Sequence, residues 1–414
     1  MQMKDSKISW IGKIPDHWKI LPNKYIFNIS KNIVDNPEKY QLLSLTTKGV
    51  KDKDENDLGG KVPDNYNGYQ RVNKGDLILC LFDLDCSAVF SGLSNARGMI
   101  SPAYKIVNTK VGIGVNNYFK YLFAHAFNGR HYKQYSKSLR FTVNSDEFLR
   151  IKSIVPPIEE QLRIANYLDK KCGEIDGLIS DIEKEIEILT QYKKSIITEI
   201  VTKGLDKNTK LKSTDIKWAD KIPEHWNVKK GKYCLKYIVR PIKDSDDIIT
   251  CFRDGEVTLR KNRREEGFTM ADKEIGCQGI NKGDLVVHGM DGFAGAIGIS
   301  NSRGKASPVL NVLDTTENKK YIMYYLRSLA FNEVFTAMST GIRVRSCDLR
   351  WNKLAELLYI LPPIVEQNQI VDYLDKKINE INSILEDKNK QLETLESYKK
   401  SIIYEYVTGK KEVI

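Results

Sequence analysis

Tyr192-Lys193-Lys194-Ser195-Ile196-Ile197 and Tyr398-Lys399-Lys400-Ser401-Ile402-Ile403 are the same six residues, 206 positions apart. Working outward, four more landmarks recur in the same order. Ile14-Pro15-Asp16-His17-Trp18 returns as Ile222-Pro223-Glu224-His225-Trp226, and Lys74-Gly75-Asp76-Leu77 as Lys282-Gly283-Asp284-Leu285, both at an offset of 208. Ser94-Asn95-Ala96-Arg97-Gly98 returns as Ser300-Asn301-Ser302-Arg303-Gly304, and Pro156-Pro157-Ile158 as Pro362-Pro363-Ile364, both at 206. The chain is therefore two copies of one unit, which implies the same task performed on two neighbouring targets. Solenoid repeats run to about 20–50 residues, so a period this long means a duplicated domain pair.

Each copy divides into a globular segment of about 150 residues and a long helix. Pro156-Pro157 closes an apolar, strand-like stretch, Ile151 to Val155, and proline is tolerated at a helix start because its missing N–H would be unpaired there. From Glu159 to Lys203 no proline intervenes, and one stripe keeps 3-4 spacing: Leu168, Cys172, Ile175, Ile179, Ile182, Ile186, Leu189, Lys193, Ile196 and Ile200. The second copy repeats it with Leu374, Ile378, Ile381, Leu385, Lys388, Leu392, Leu395, Lys399, Ile402 and Tyr406. Such a seam predicts a coiled coil of two helices, each roughly 65 Å long at 1.5 Å per residue. Antiparallel pairing needs only a return after Gly204 and makes the copies equivalent about a pseudo-twofold axis. The seam lysines have three readings: snorkelling to solvent, which is the default, setting register, or meeting an acidic partner.

The globular segments carry short β-type runs such as Asp76 to Phe82 and Asp284 to His288, flanked by glycine turns. Each adds one amphipathic stretch, Asn117 to Tyr135 and Asn318 to Met338, while the polar stretch Leu205 to Asp220 reads as a linker. The expected fold is α+β: two mostly β domains with helices, joined by two long helices in an antiparallel coiled coil. The boundaries read as 1–155, 156–204, 205–361 and 362–414.

The chain has 414 residues and a net charge of +11, which favours a polyanionic partner, although a lysine-rich proteome would give the same excess. Its seven cysteines, Cys80, Cys86, Cys172, Cys234, Cys251, Cys277 and Cys347, are scattered without a C-x-x-C pair and read as reduced thiols. Met1 to Lys7 has no apolar core, and no run reaches the roughly 18 apolar residues of a membrane span. A cytoplasmic protein without membrane contact is expected.

A duplicated enzyme should carry a duplicated active site, and none is visible. Gly298 to Lys305 misses the phosphate-loop spacing by one residue, and Ala306 follows the lysine. Val155 and Leu361 precede the Pro-Pro pairs, unlike the Asn/Asp-Pro-Pro-aromatic motif of amino-methyltransferases. Glu317-Asn318-Lys319 has the E-x-K form of nuclease sites, but 29% of the residues are charged. His17 and His225 recur beside Trp18 and Trp226 and are expected to be structural. No metal or cofactor site is expected in this chain.

Taken together, these landmarks resemble the specificity subunit of Type I restriction–modification enzymes. The resemblance rests on Trp10 to Trp18 and its echo at Trp218 to Trp226, on Pro-Pro-Ile-x-Glu-Gln at Pro156 to Gln161 and Pro362 to Gln367, and on Gly98 to Tyr104. Arg253 to Val257 and His288 to Gly295 add to it, and the match spans the whole chain. Departures are small: Pro102-Ala103-Tyr104 becomes Pro308-Val309-Leu310, and Glu159-Glu160-Gln161 becomes Val365-Glu366-Gln367. The resemblance implies two target-recognition domains, each reading half of a bipartite, asymmetric sequence in double-stranded DNA. It implies helices that space the domains and dock two modification subunits, with restriction subunits joining the larger complex. The chain itself would be non-catalytic; S-adenosylmethionine, ATP and Mg would sit on the partners, which methylate a flipped adenine. A stand-alone tandem DNA-binding or scaffold protein, or a DNA-modifying enzyme in its own right, is the alternative.

Base readout needs bidentate donors and backbone contacts need cations. In the second globular segment the candidates are Arg253, Arg260, Lys261, Arg263 and Arg264, with Arg343 and Arg345 after Ser339-Thr340-Gly341. In the first they are Lys48, Lys51, Lys53, Arg71, Lys137 and Arg140. For any single one, a solvated surface charge is the favoured reading. The Arg260 to Arg264 run leans to DNA because arginine dominates it.

Overall fold

The computed structural model describes residues 2–47, 49–53, 65–137, 141–263, 276–337 and 349–413. Lys48, Arg140, Arg264, Arg343 and Arg345 lie outside the described residues. The chain forms two compact units, residues 1–182 with 389–414, and residues 183–388. The division passes through both long helices, so each unit contains a globular segment and a length of each helix.

The two units repeat one topology. The first has an antiparallel four-stranded sheet ordered Phe27–Ser30, Lys105–Thr109, Leu77–Leu79, Ser91–Leu93. The second orders Lys236–Tyr237, Leu310–Asp314, Leu285–His288, Ile297–Ile299 in the same way. A strand early in each unit pairs with the one before the Pro-Pro, Lys19–Pro22 with Lys152–Val155 and Asn227–Lys230 with Leu358–Leu361. The central strands are apolar on both faces (Leu77, Ile78 and Leu79; Leu285, Val286 and Val287, all 0% exposed) because a 13-residue helix packs against each sheet. The α+β expectation holds.

Three stretches differ from the sequence reading. The polar stretch 205–220 is not a free linker: Leu211–Ser213 pairs with Lys221–Pro223, as Met3–Asp5 pairs with Lys13–Pro15. Edge strands of polar residues carry no apolar alternation, which hid this one. The amphipathic stretch from Asn117 is a helix, Asn116–Asn128, and a separate 3-10 turn, His131–Tyr135. Gly129 ends the helix and Arg130 takes a left-handed conformation, φ 52°. In the second unit Lys319–Phe331 is likewise cut from Val334–Ala337 by Glu333 at φ 56°. Side-chain periodicity carries no record of a single backbone reversal.

The long helices span Ile158–Lys203 and Ile364–Val407, 46 and 44 residues. Within each unit their segments run antiparallel. In the first, Tyr167 packs on Tyr406 with centroids 4.4 Å apart, and Asp176 pairs with Lys399 at 2.5 Å. In the second, Glu185 pairs with Lys388 at 2.5 Å and Lys193 donates to Asn382 at 3.0 Å. Numbers rise on one helix as they fall on the other. Leu168, Cys172, Ile175, Ile196, Ile200, Leu374, Ile381 and Ile402 are buried, where the globular cores also cover the seam. Ile179, Ile182, Ile186, Leu189, Ile378, Leu385, Leu392 and Leu395 are half-buried. The default of snorkelling lysines is corrected: Lys388 and Lys399 end on carboxylates of the facing helix, which ties the register of the pair. No helix among the described residues is long and apolar enough to cross a membrane.

Candidate nucleic-acid interface

The repeated motifs meet in space. Glu160, from Pro-Pro-Ile-x-Glu-Gln, bonds His17 Nε2 at 2.7 Å and accepts Trp18 Nε1–H at 2.8 Å. Glu366 does the same with His225 at 2.8 Å and Trp226 at 3.0 Å. Gln161 donates to the Pro156 and Ile113 carbonyls and accepts from Val115 N–H, pinning the helix start to the loop before Asn116–Asn128. Gln367 donates to the Pro362 carbonyl and the Glu317 carboxylate and accepts from Asn318 N–H. Thus Glu317 and Asn318 of the E-x-K stretch fasten the second helix start, and both histidines have the structural role expected of them.

Trp226 is fully buried, so removing Glu366 strands its indole N–H in the core. Glu366→Ala should cost about 1–3 kcal/mol, the penalty for a buried donor left unpaired. Chemical denaturation should find a similar loss for Glu160→Ala; a loss below about 0.5 kcal/mol for both would show that water replaces the carboxylate.

The other landmarks are turns. Gly75 and Gly283 take φ of 91° and 87°, conformations that favour glycine, and Asp76 and Asp284 accept from the N–H of Asn73 and Asn281. Gly298 to Lys305, the phosphate-loop near miss, forms two strands and their turn, with Gly298 paired to Val286.

The basic residues divide sharply. In the second unit they flank the hairpin Ile249–Cys251 and Val257–Leu259. Arg253 pairs with Asp291 at 2.8 Å, Lys261 with Asp247 at 2.5 Å, and Arg263 with Asp254 at 2.6 Å and Glu256 at 3.1 Å. Arg263 also lies over the Phe252 ring, 4.3 Å from its centroid, and Arg260 donates to Thr250 at 3.3 Å. This run is an interleaved set of surface ion pairs, held in a fixed array.

In the first unit Lys51 is exposed on the strand Gly49–Asp52 and Lys137 is exposed after the 3-10 turn. Lys53 N–H donates to the Leu42 carbonyl, Leu42 bridges Met99, and Met99 pairs with Arg71. The strands Leu43–Thr46 and Gly98–Ile100 therefore lie between Lys53 and Arg71. Sequence reasoning missed Arg97, whose guanidinium lies 5.5 Å from the Tyr40 ring centroid. Its signal was present in the repeated Ser-Asn-x-Arg-Gly, which served only as a landmark. Arg240, joined to Asp284, and Arg303, joined to Asp246, were missed as well.

No family model matches this chain. Among curated proteins it is 26% identical over 292 residues to the Type I restriction enzyme MjaVIII specificity subunit of Methanocaldococcus jannaschii, covering 66% of this chain and 64% of that protein. It is 25% identical over 280 residues to the Type I restriction enzyme EcoBI specificity subunit of Escherichia coli, covering 62% and 57%. The matches thus span less than two thirds of these relatives' own lengths. The fold matches a chain from a structure described as the structural basis underlying complex assembly and conformational transition of the type I R-M system. That match has a TM-score of 0.67 and 13% identity, and covers 95% of this chain and 98% of the other. The chain is similar to the specificity subunits that its motifs resemble.

Proposed function

We propose that this chain is the DNA-recognition subunit of a Type I restriction–modification complex and acts in the cytoplasm. Each globular segment reads one half of a bipartite, asymmetric target. Two modification subunits dock on the helices, and restriction subunits join them. The chemistry belongs to those partners, which carry S-adenosylmethionine, ATP and Mg, and this chain is not itself a catalyst. The observation that carries the reading is one α+β unit built twice on two antiparallel helix segments, in a chain similar to curated specificity subunits over 62–66% of its length. Duplicated modules suit DNA because half-sites recur along one duplex. The units differ in their basic side chains, so the half-sites differ too.

Exposed ion pairs contribute about 0–1 kcal/mol, so a phosphate or base edge can displace the acids that hold Arg253, Lys261 and Arg263. Arg263→Ala, expressed with the modification subunits, should relax one half-site by roughly 1–3 kcal/mol and leave the other unchanged. Mapping methylated adenines genome-wide reads this directly. Equal relaxation of both half-sites would refute recognition of one half-site by each unit. Incubating the chain alone with S-adenosylmethionine, ATP, Mg²⁺ and DNA should give no methylation or cleavage.

A further inference from the structure

We infer that Tyr40, Arg71 and Arg97 of the first unit form a seat for one phosphodiester of the DNA backbone, and that the second unit has closed the matching seat with its own aspartate. The inference rests on the DNA-recognition reading above and adds to it the residues, the ligand group and an asymmetry between the two units.

The duplication provides the internal control. Leu42 bridges Met99 in the first unit as Ile248 bridges Lys305 in the second, and each of these pairs differs by 206. Strand Gln70–Val72 pairs with Gly98–Ile100 as Gln278–Ile280 pairs with Gly304–Ala306. On this shared frame Tyr40 corresponds to Asp246, Arg71 to Gly279 and Arg97 to Arg303.

In the second unit the Asp246–Arg303 pair is neutral. Arg303 Nε and Nη2 donate to Asp246 at 2.9 and 2.6 Å, and Nη1 donates to Asn281 at 2.7 Å. The Asp246 side chain is 3% exposed. A Cβ at Gly279 would stand 2.8 Å from Arg303 Nη2, so that strand position adjoins the guanidinium. A bidentate carboxylate occupies the fork that a phosphate would use.

The first unit makes two changes at this place and keeps one residue. Tyrosine replaces the aspartate, arginine replaces the glycine, and Arg97 keeps the position of Arg303. No ion pair of the described residues involves Arg71 or Arg97, so the formal charge of these three positions rises from zero to two. The Arg71 Nε is buried without a hydrogen-bond partner. The guanidiniums of Arg97 first, and then Arg71, hold the Tyr40 hydroxyl below its ordinary pKa, as expected of a positive field around that oxygen. Arg97 is exposed at the turn and Tyr40 is half-buried, so the group opens to solvent. Two planar forks and one hydroxyl donor suit the two non-bridging oxygens of a phosphodiester.

The test uses the full-length chain with modification subunits and a duplex bearing its methylated target. The variant is Tyr40→Asp, which places opposite Arg97 the acid that Arg303 already holds; Arg71→Gln with Arg97→Gln is the second. Either should weaken binding about tenfold at low salt and reduce the slope of log affinity against log salt by about one, the value for one lost phosphate contact. Sequence preference at both half-sites should persist. Arg303→Gln should leave the slope unchanged and lower the melting temperature. A slope unchanged in both first-unit variants, while the wild type binds its target, would overturn the seat alone. Relaxed sequence preference at one half-site would overturn it in favour of base reading by the same arginines. A wild-type chain with no salt-dependent DNA binding would overturn both the seat and the reading beneath it.

Discussion

Leu374→Asp is expected to unfold the second unit. Leu374 is 0% exposed and packs in one core with Ile196, Trp226, Tyr321 and Ile370, where strands, short helix and both long helices converge. Removing a buried leucine side chain alone costs about 2–5 kcal/mol. An aspartate there must also strand a carboxylate or take up a proton, adding several kcal/mol. Whole domains hold only about 5–15 kcal/mol in reserve. Leu168→Asp, also 0% exposed, should do the same to the first unit. Leu385→Asp lies on the same stripe but is half-buried, so its carboxylate can reach water and the cost should fall to about 1–2 kcal/mol. Urea unfolding followed by circular dichroism would rank the three. Equal losses at Leu374 and Leu385 would mean that the seam, and not the globular core, dominates helix docking.

That difference marks what the sequence could and could not disclose. The 3-4 spacing located the seam and its partner because a long helix cannot bury such a stripe alone. It did not grade the positions, since burial at Leu168 or Leu374 comes from strands far away in sequence. The repeated motifs mark where each long helix starts, at Ile158 and Ile364, whereas the compact units divide within the helices, after residues 182 and 388. The chemistry of the motifs stayed hidden because Glu160 meets Trp18 across 142 residues and Glu366 meets Trp226 across 140. A glutamate that recurs beside a recurring glutamine was visible; its bond to the indole was not.

Charge showed the sharpest limit. Arg260 to Arg264 stood out as a dense cluster, yet the acids that balance it, Asp247, Asp254 and Glu256, were equally present in the same segment. Counting cations without pairing them overstated the surplus there. The opposite error hid Arg97, a single arginine inside a turn motif, whose neighbour across the strands is the uncompensated Arg71. A positive field depends on which charges lack partners, and only the fold assigns partners.

The Asp246–Arg303 pair should therefore be a pillar of the second unit, with a pH signature of its own. The Arg303 guanidinium holds the Asp246 carboxyl at about 2, below the ordinary carboxylate range, and the Lys243 backbone N–H assists. A carboxyl depressed in the folded state stabilises above its unfolded pKa, about 3.9, and loses that contribution as pH falls through its folded value. The contribution should be complete at pH 7 and decline between about pH 4 and pH 2. Asp246→Ala leaves Arg303 facing Asn281 and the Pro241 carbonyl without a counter-charge. Breaking a buried pair by removing one partner costs about 3–5 kcal/mol, and the 30% exposure of the Arg303 side chain places this one near the lower end. Denaturation of wild type and variant from pH 7 down to pH 3 should show a gap of about 3 kcal/mol that narrows on acidification, because the wild type alone loses the carboxylate. A gap that stays constant across that range would assign the loss to packing around residue 246. In the first unit the same position holds Tyr40 and no such acid-sensitive increment exists there; Tyr40→Asp should introduce one, and in doing so remove the spare charge of Arg97.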